Sequence, residues 1–563
     1  MKHTGPISGI AAHRNDLVAT AGYDNQVLLW DGRTHEPLHR VHHDHLANQC
    51  SFNAHGNRLV TSSSDYTARL WHVPSMRLQS VFAGHEDDVE MAAFNPHSTQ
   101  IATCSRDHTA RLFSLTGEPG PVCRGHTADV ISVGWERCGN VIVTSSDDGT
   151  IRRWDTTRGE CLEIIDLGGV ETDTLVIVHD NLILAGNDKG HIISVGANGN
   201  HSAMAAHSAG IKRLAYDSDK RILTSLSYDH TLSVWTVGID GMLQRIDRTE
   251  FPAVVWPRSC AFLGESRIVF STFGSTYAIY DYKTREWDVD GITPDESINA
   301  LTIHQNAVYS IGDAGDAFRN GERVGRFGSV CNFLTPWSDQ LLSGGQLGHI
   351  YEVLSNTVLH SHRSPVNCAA TFTKDGQEWA IVGAYTGEGL LFRRKSQRGA
   401  IEYVASIHLH TNAVKGIATS SDTIFSVCAT GAAAFHRISD FQLATHVEKA
   451  HDRIANCCTS LGTLGFASAG RDLTLRIWRD GRRTVIATPH VNSIKCVCAT
   501  PDGRVIATGS YTGSIALYDL QTARWLRQVR PTPTGISALC YDTCSARFLA
   551  SSYDGQIHAI ATN

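Results

Sequence analysis

A nine-residue phrase, Tyr23-Asp24-Asn25-Gln26-Val27-Leu28-Leu29-Trp30-Asp31, returns along this chain at nearly constant spacing. It comes back as Ser64-Asp65-Tyr66-Thr67-Ala68-Arg69-Leu70-Trp71, and again in the segments ending at Phe113, Trp154, Trp235 and Trp478. Aligned on the closing aromatic, the copies fall at positions 30, 71, 113, 154, 194, 235 and 280. They continue with weaker residues at 320, 353, 392, 436, 478, 518 and 560. A period of this length, kept from end to end, restricts the chain to a repeat architecture.

Within a unit the pattern predicts four short strands. In the third copy these are 89–94, 100–104, 110–113 and 121–123, separated by turns such as Asn95-Pro96-His97-Ser98 and Ser105-Arg106-Asp107-His108. A sheet of four such strands cannot bury both faces alone. Packing the sheets radially buries them, and closing the ring protects the ends.

Composition narrows the class. With 42% hydrophobic and 19% charged residues, the chain reads as ordered and globular. A net charge of -7 argues against a general nucleic-acid binder. No apolar run reaches membrane-spanning length, and Met1-Lys2-His3-Thr4-Gly5-Pro6 has no signal core, so a cytoplasmic protein is expected. The 15 cysteines are scattered through apolar runs with no CxxC pair, which fits buried thiols in a reducing compartment.

Gly84-His85, Gly125-His126 and the Asp-then-Trp phrase resemble WD40 repeats over essentially the whole chain. The resemblance implies an all-β protein of two seven-bladed propellers in tandem, 1–290 and 291–563. The stretch Gly291-Ile292-Thr293-Pro294-Asp295 is the expected linker, and the last blade has no outer strand of its own. It also implies a hydrogen-bonded network joining His43, Asp65 and Trp71, repeated as His126, Asp148, Trp154; His207, Asp229, Trp235; and His451, Asp472, Trp478.

In this fold the first residues of each inner strand, and the residue before each turn Asp, ring the mouth of the channel. For the first propeller the strand set is Ser8, Asn48, Glu90, Ile131, Asp173, Lys212 and Arg258. Its turn set is Tyr23, Ser64, Arg106, Asp147, Asn187, Tyr228 and Phe273. Carboxylates concentrate on the third to fifth blades beside His45. A divalent transition metal held by His45, Asp88, Glu90 and Asp129 is one expectation, because imidazole and carboxylate suit first-row metals. An acidic rim for a basic partner is the other. For the second propeller the strand set is Asn299, Cys331, Asn367, Lys415, Asn456, Lys495 and Ser537, with Arg471, Tyr511 and Tyr553 from turns. Lys415, Lys495, Arg471, Asn367 and Asn456 are the candidates for binding an anionic or heterocyclic small molecule, or for forming a polar docking surface.

No nucleotide or flavin motif is present: there is no P-loop, no GxGxxG opening a helix and no GxSxG elbow. The N-terminal stretches Gly5-Pro6-Ile7-Ser8-Gly9-Ile10-Ala11-Ala12 and His43-Asp44-His45-Leu46-Ala47-Asn48-Gln49-Cys50 resemble bacterial WD-repeat proteins encoded with toxoflavin (azapteridine) biosynthesis. That resemblance implies a metal-dependent oxidoreductase acting on a small heterocycle at a propeller mouth. The alternative is a non-catalytic scaffold for pathway enzymes or other protein partners.

Overall fold

The computed structural model describes residues 1–14, 16–293, 297–394, 401–479 and 481–562. The chain divides into two compact units, Met1–Pro294 and Asp295–Asn563. Pro294 and Asp295 of the expected linker lie outside the described residues.

In the first unit seven four-stranded antiparallel sheets, here blades 1 to 7, follow one another in chain order. Strand a of each blade packs beside strand a of the next, and blade 7 (Val255–Leu263) returns to blade 1 (Ile7–His13). The ring is therefore closed. Ser259 seals it, its hydroxyl receiving the Ile10 amide and the Gln49 side-chain amide, both at 3.1 Å. The second unit repeats the plan with blades 8 to 14, from strand a at Ile298–His304 to the one at Ile536–Asp542. Its last blade has three strands among the described residues, and Ser537 donates to the Ile298 carbonyl to close the ring. The all-β fold class expected from the repeats is the one observed. The single helical turn among the described residues is Gly462–Leu464.

The cores lie between blades, not within them. Ala102, Cys104 and Leu112 of blade 3 meet Val133, Ile142 and Trp154 of blade 4, and the pattern recurs around each unit. Strand b is buried along nearly its whole length, as in Val141–Ser146, while strand d is largely exposed, as in Leu443–Val447. Near the axis the blades taper, so strand b ends in small hydroxyl residues. Ser63, Ser105, Ser146 and Ser227 each donate to a carbonyl preceding strand a, which satisfies a buried polar group at the narrow end.

The expected histidine network is present, with one member the repeat pattern had not disclosed. His43 Nδ1 donates to Asp65 at 2.9 Å, and its Nε2 accepts from the Thr61 hydroxyl at 2.7 Å. That hydroxyl accepts from Trp71 Nε1 at 2.8 Å. A strand-b Thr or Ser thus joins imidazole to indole. The same chain runs through His126, Asp148, Thr144 and Trp154, through His207, Asp229, Ser225 and Trp235, and through His451, Asp472, Ser468 and Trp478. Blade 1 has it too, built on His3 with Asp24, Thr20 and Trp30.

Burial favours the neutral imidazole in four of the blades. Desolvation pushes His43, His85, His126 and His451 below their ordinary 6.5, against the pull of their aspartates. His410 and His490 are pushed down to about 4. Burial alone would raise Asp65, Asp148 and Asp472, yet the histidine and hydroxyl hydrogen bonds hold them well below the usual carboxylate range. With the folded histidine values lowered, the unfolded chain takes up protons first as pH falls. The contribution is complete above pH 6.5 and is lost on the way down to about 4. The melting midpoint is therefore expected to fall steadily across that interval in a pH series of thermal scans. A midpoint flat across it would contradict neutral buried histidines.

Candidate functional site

Most ring positions at the channel are made by a backbone irregularity. In strand a of blade 4 Val130 faces Ser146, but Ser132 faces Ser145, so Ile131 is an extra residue. Such a β-bulge leaves the ladder locally and re-aims one side chain. The same slip isolates Ser8, Asn48, Glu90 and Lys212 in the first unit. In the second it isolates Asn299, Asn332, Asn367, Lys415, Asn456, Lys495 and Ser537. Asn332 thus takes the place expected for Cys331, which is fully buried beside it. The alternation of strand residues could not show which of two neighbours the bulge ejects.

A second ring lies above the first. There the amide of the residue before the turn bonds a carbonyl ahead of strand a: Arg106 to Asp88, Asp147 to Asp129, Tyr228 to Gly210. In blade 5 this residue is Asp188, bonded to Glu171, and not Asn187. Asn187 instead anchors the turn, its side-chain oxygen receiving the amides of Lys189 and His191.

The mouth of the first unit is acidic and crowded. Arg106 reaches both Glu90 and Asp129, and Arg258 reaches Glu90 at 3.3 Å. Asp88 and Asp147 add to the field that holds the Arg106 guanidinium charged against its burial. Lys212 bridges Asp173 and Asp188 and lies 5.0 Å from the Tyr228 ring. Burial, then Glu171, Asp173 and Asp129, push Asp147 well above the usual carboxylate range. Of the four expected metal ligands, Glu90 and Asp129 are brought together, but around a resident guanidinium. His45 and Asp88 are buried. Among the described residues no group of three or more His, Cys, Asp or Glu is placed to hold a metal ion.

The second unit differs. Lys415, Lys495, Asn367 and Asn456 all line one cavity of about 240 Å³ on its axis. The amide nitrogens of Asn332, Asn367 and Asn456 each donate to the next blade, to the Val366, Lys415 and Ile494 carbonyls at 2.9, 3.0 and 2.7 Å. Arg471 belongs to the upper ring, with Asp313, Gln346, Tyr385, Tyr511 and Tyr553 at equivalent positions. Asp313, Gln346 and Tyr385 were not singled out from the sequence, because their blades carry degenerate turns. The thiols of Cys368 and Cys457 on the cavity wall are pushed up to about 12 by burial and stay protonated.

Six segments, 1–31, 35–72, 76–114, 117–155, 200–236 and 483–519, match the family described as WD domain, G-beta repeat. The chain carries WD40 repeats. It is similar to Protein LST8 homolog of Dictyostelium discoideum, 30% identical over 18% of this chain and 35% of the relative. It is similar to Ribosome biogenesis protein YTM1 of Yarrowia lipolytica, 23% identical over 42% of this chain and 46% of the relative. Against Apoptotic protease-activating factor 1 of Rattus norvegicus the identity is 22%, over 64% of this chain and 31% of that protein. The chain thus spans less than half the length of these curated relatives. The WD40 segments matched in the first unit supply blades 1 to 4 and 6, and so most of the acidic mouth. No helix among the described residues is long and apolar enough to cross a membrane.

Proposed function

We propose that this WD40 protein is a non-catalytic platform for protein assembly, and that the mouth of its first unit docks a basic segment. One observation carries the reading. The two rings there hold Asp88, Glu90, Asp129, Asp147, Glu171, Asp173 and Asp188 against Arg106, Lys212 and Arg258. Burial first, and neighbouring carboxylates after it, raise Asp147 and Asp173 above their ordinary values, the latter against the pull of Lys212. Incoming lysine or arginine would relieve that repulsion and favour the ionised form of Asp147.

The reading is tested with a fluorescent oligolysine peptide and the full chain. Saturable binding is expected, falling with salt, and falling as pH drops because Asp147 must lose its proton. The double variant Asp147→Asn with Glu171→Gln should weaken it about tenfold or more, the size of a lost close charge contact. Unchanged affinity in that variant would remove the mouth from consideration.

A metal-dependent oxidoreductase of toxoflavin-type biosynthesis has less behind it. The relatives above are eukaryotic proteins whose names concern other processes, and a cation at Glu90 and Asp129 would have to displace Arg106. Elemental analysis of untagged protein separates the two. Stoichiometric transition metal, lost in Glu90→Gln, would restore the enzyme reading.

A further inference from the structure

Thirteen blades are four-stranded sheets, and blade 14 has three strands among the described residues. No strand among those residues pairs with the outer edge of its strand c, Ile557–Ala561. The side chains show the same gap. In blade 13 strand c, Ile515–Asp519, is buried throughout. In blade 14 the places of Ile515 and Leu517 are taken by Ile557 and Ala559. Ile515 and Leu517 have no exposure, whereas Ile557 is 40% exposed and Ala559 is exposed too. In complete blades strand d covers the first of these places with a β-branched aliphatic residue. Val529 lies opposite Ile515, Ile486 opposite Leu475 and Ile165 opposite Ile151. An edge strand with an uncovered isoleucine is a template for one more strand.

We propose that blade 14 docks an extended segment of a partner protein, which pairs antiparallel with Ile557–Ala561 as its fourth strand and lays an aliphatic residue over Ile557. Main-chain hydrogen bonds supply the affinity, and the contact with Ile557 fixes the register. The surface belongs to the second unit and the acidic mouth to the first, so either reading can fail without the other.

A second copy of the chain fits this edge less well. Five residues of strand are about 17 Å long. Pairing that edge with itself buries far less than the roughly 1,200 Å² of a stable dimer. Two-fold pairing over the whole strand also sets Ile557 opposite Ala561, whose methyl group covers little of it. The chain's own outer strands describe a better occupant. Blade 13 sets Val529, Gln528 and Arg527 opposite Ile515, Ala516 and Leu517, whose places in blade 14 are Ile557, His558 and Ala559. The fitting segment carries valine or isoleucine opposite Ile557. It has no proline in the paired stretch, because proline removes a donor from the ladder.

A fluorescent peptide copying residues 522–530, the outer strand of blade 13 with its flanks, is the probe for the full chain. One saturable site per chain is expected. Ile557→Lys puts a charge on the edge, the device by which natural edge strands refuse partners. It weakens binding about tenfold or more, the worth of burying one isoleucine side chain. Ile557 is exposed, so this variant keeps the wild-type melting midpoint. Leu162→Lys, at an exposed residue of the first unit, leaves binding unaltered. Val529→Asn in the peptide alone weakens binding by a factor similar to that of Ile557→Lys. Amide hydrogen exchange along 557–561 slows when the peptide is bound. No saturable binding, equal affinity in Ile557→Lys and Leu162→Lys, or unchanged exchange along 557–561 would overturn the proposal. So would a concentration-dependent dimer of the chain alone that Ile557→Lys dissolves, since the edge would then belong to a second copy.

Discussion

Replacing Arg106 by methionine is expected to destabilise the first unit by about 3 kcal/mol, the lower end of what removing one partner of a buried ion pair costs. The guanidinium is 14% exposed and Glu90 6% exposed, so the pair is screened little by solvent. Methionine keeps the aliphatic stem and removes the charge that Glu90 and Asp129 share. The stranded carboxylates then lie near Asp88 and Asp147, with Arg258 still reaching Glu90 but nothing replacing the guanidinium at Asp129. In differential scanning calorimetry the transition of the first unit should drop by about 5 °C, while that of the second holds. The gap between variant and wild type should narrow as pH is lowered from 7 towards 5, because protonating the stranded acids removes their repulsion. A variant as stable as wild type at pH 7 would mean that the carboxylates have another counterion, and the metal reading would regain ground.

Thr144→Val should be among the costliest conservative substitutions in the blades. It keeps shape and volume at a site with no solvent exposure. It deletes the hydroxyl that satisfies both His126 Nε2 and Trp154 Nε1. Two buried polar groups are orphaned, each worth about 1–3 kcal/mol, for a total of about 2–6 kcal/mol. Blade 3 supplies the comparison. There Thr103 serves His85, but the strand-c aromatic is Phe113, which has no N–H to satisfy. Thr103→Val should therefore cost about half as much, about 1–3 kcal/mol. Urea unfolding with an unchanged m-value measures both. Equal costs in the two blades would show that the indole is indifferent to the hydroxyl.

Much of this was legible because it is local. Asp65 and Trp71 sit in one hairpin, and His43 recurs one period from His85, so the resemblance to WD40 repeats could assign the three residues to one network. What the pattern missed had no distinctive spacing. Thr61 and Ser225 look like any strand hydroxyl, and His3 precedes the first complete unit. The acidic residues on blades 3 to 5 could be read as metal ligands because the sequence shows their sign and order, but not which cation stands among them. Arg106 had been placed in the turn ring without its partners. Only when blades 3 and 4 are packed does its side chain span from Glu90 to Asp129.

The forty-residue spacing by itself determined strand count and blade order, and the WD40 resemblance added the histidine–aspartate–indole chemistry, since each depends on neighbours within one or two hairpins. Ring closure decided the rest. It chose Asn332 over Cys331 and Asp188 over Asn187, because a bulge or a turn ejects one residue of a pair that alternation treats alike. It also brought Lys415 and Lys495 to one cavity from two different blades. Charges that converge across an axis are distant in the chain, and only the closed wheel makes them neighbours.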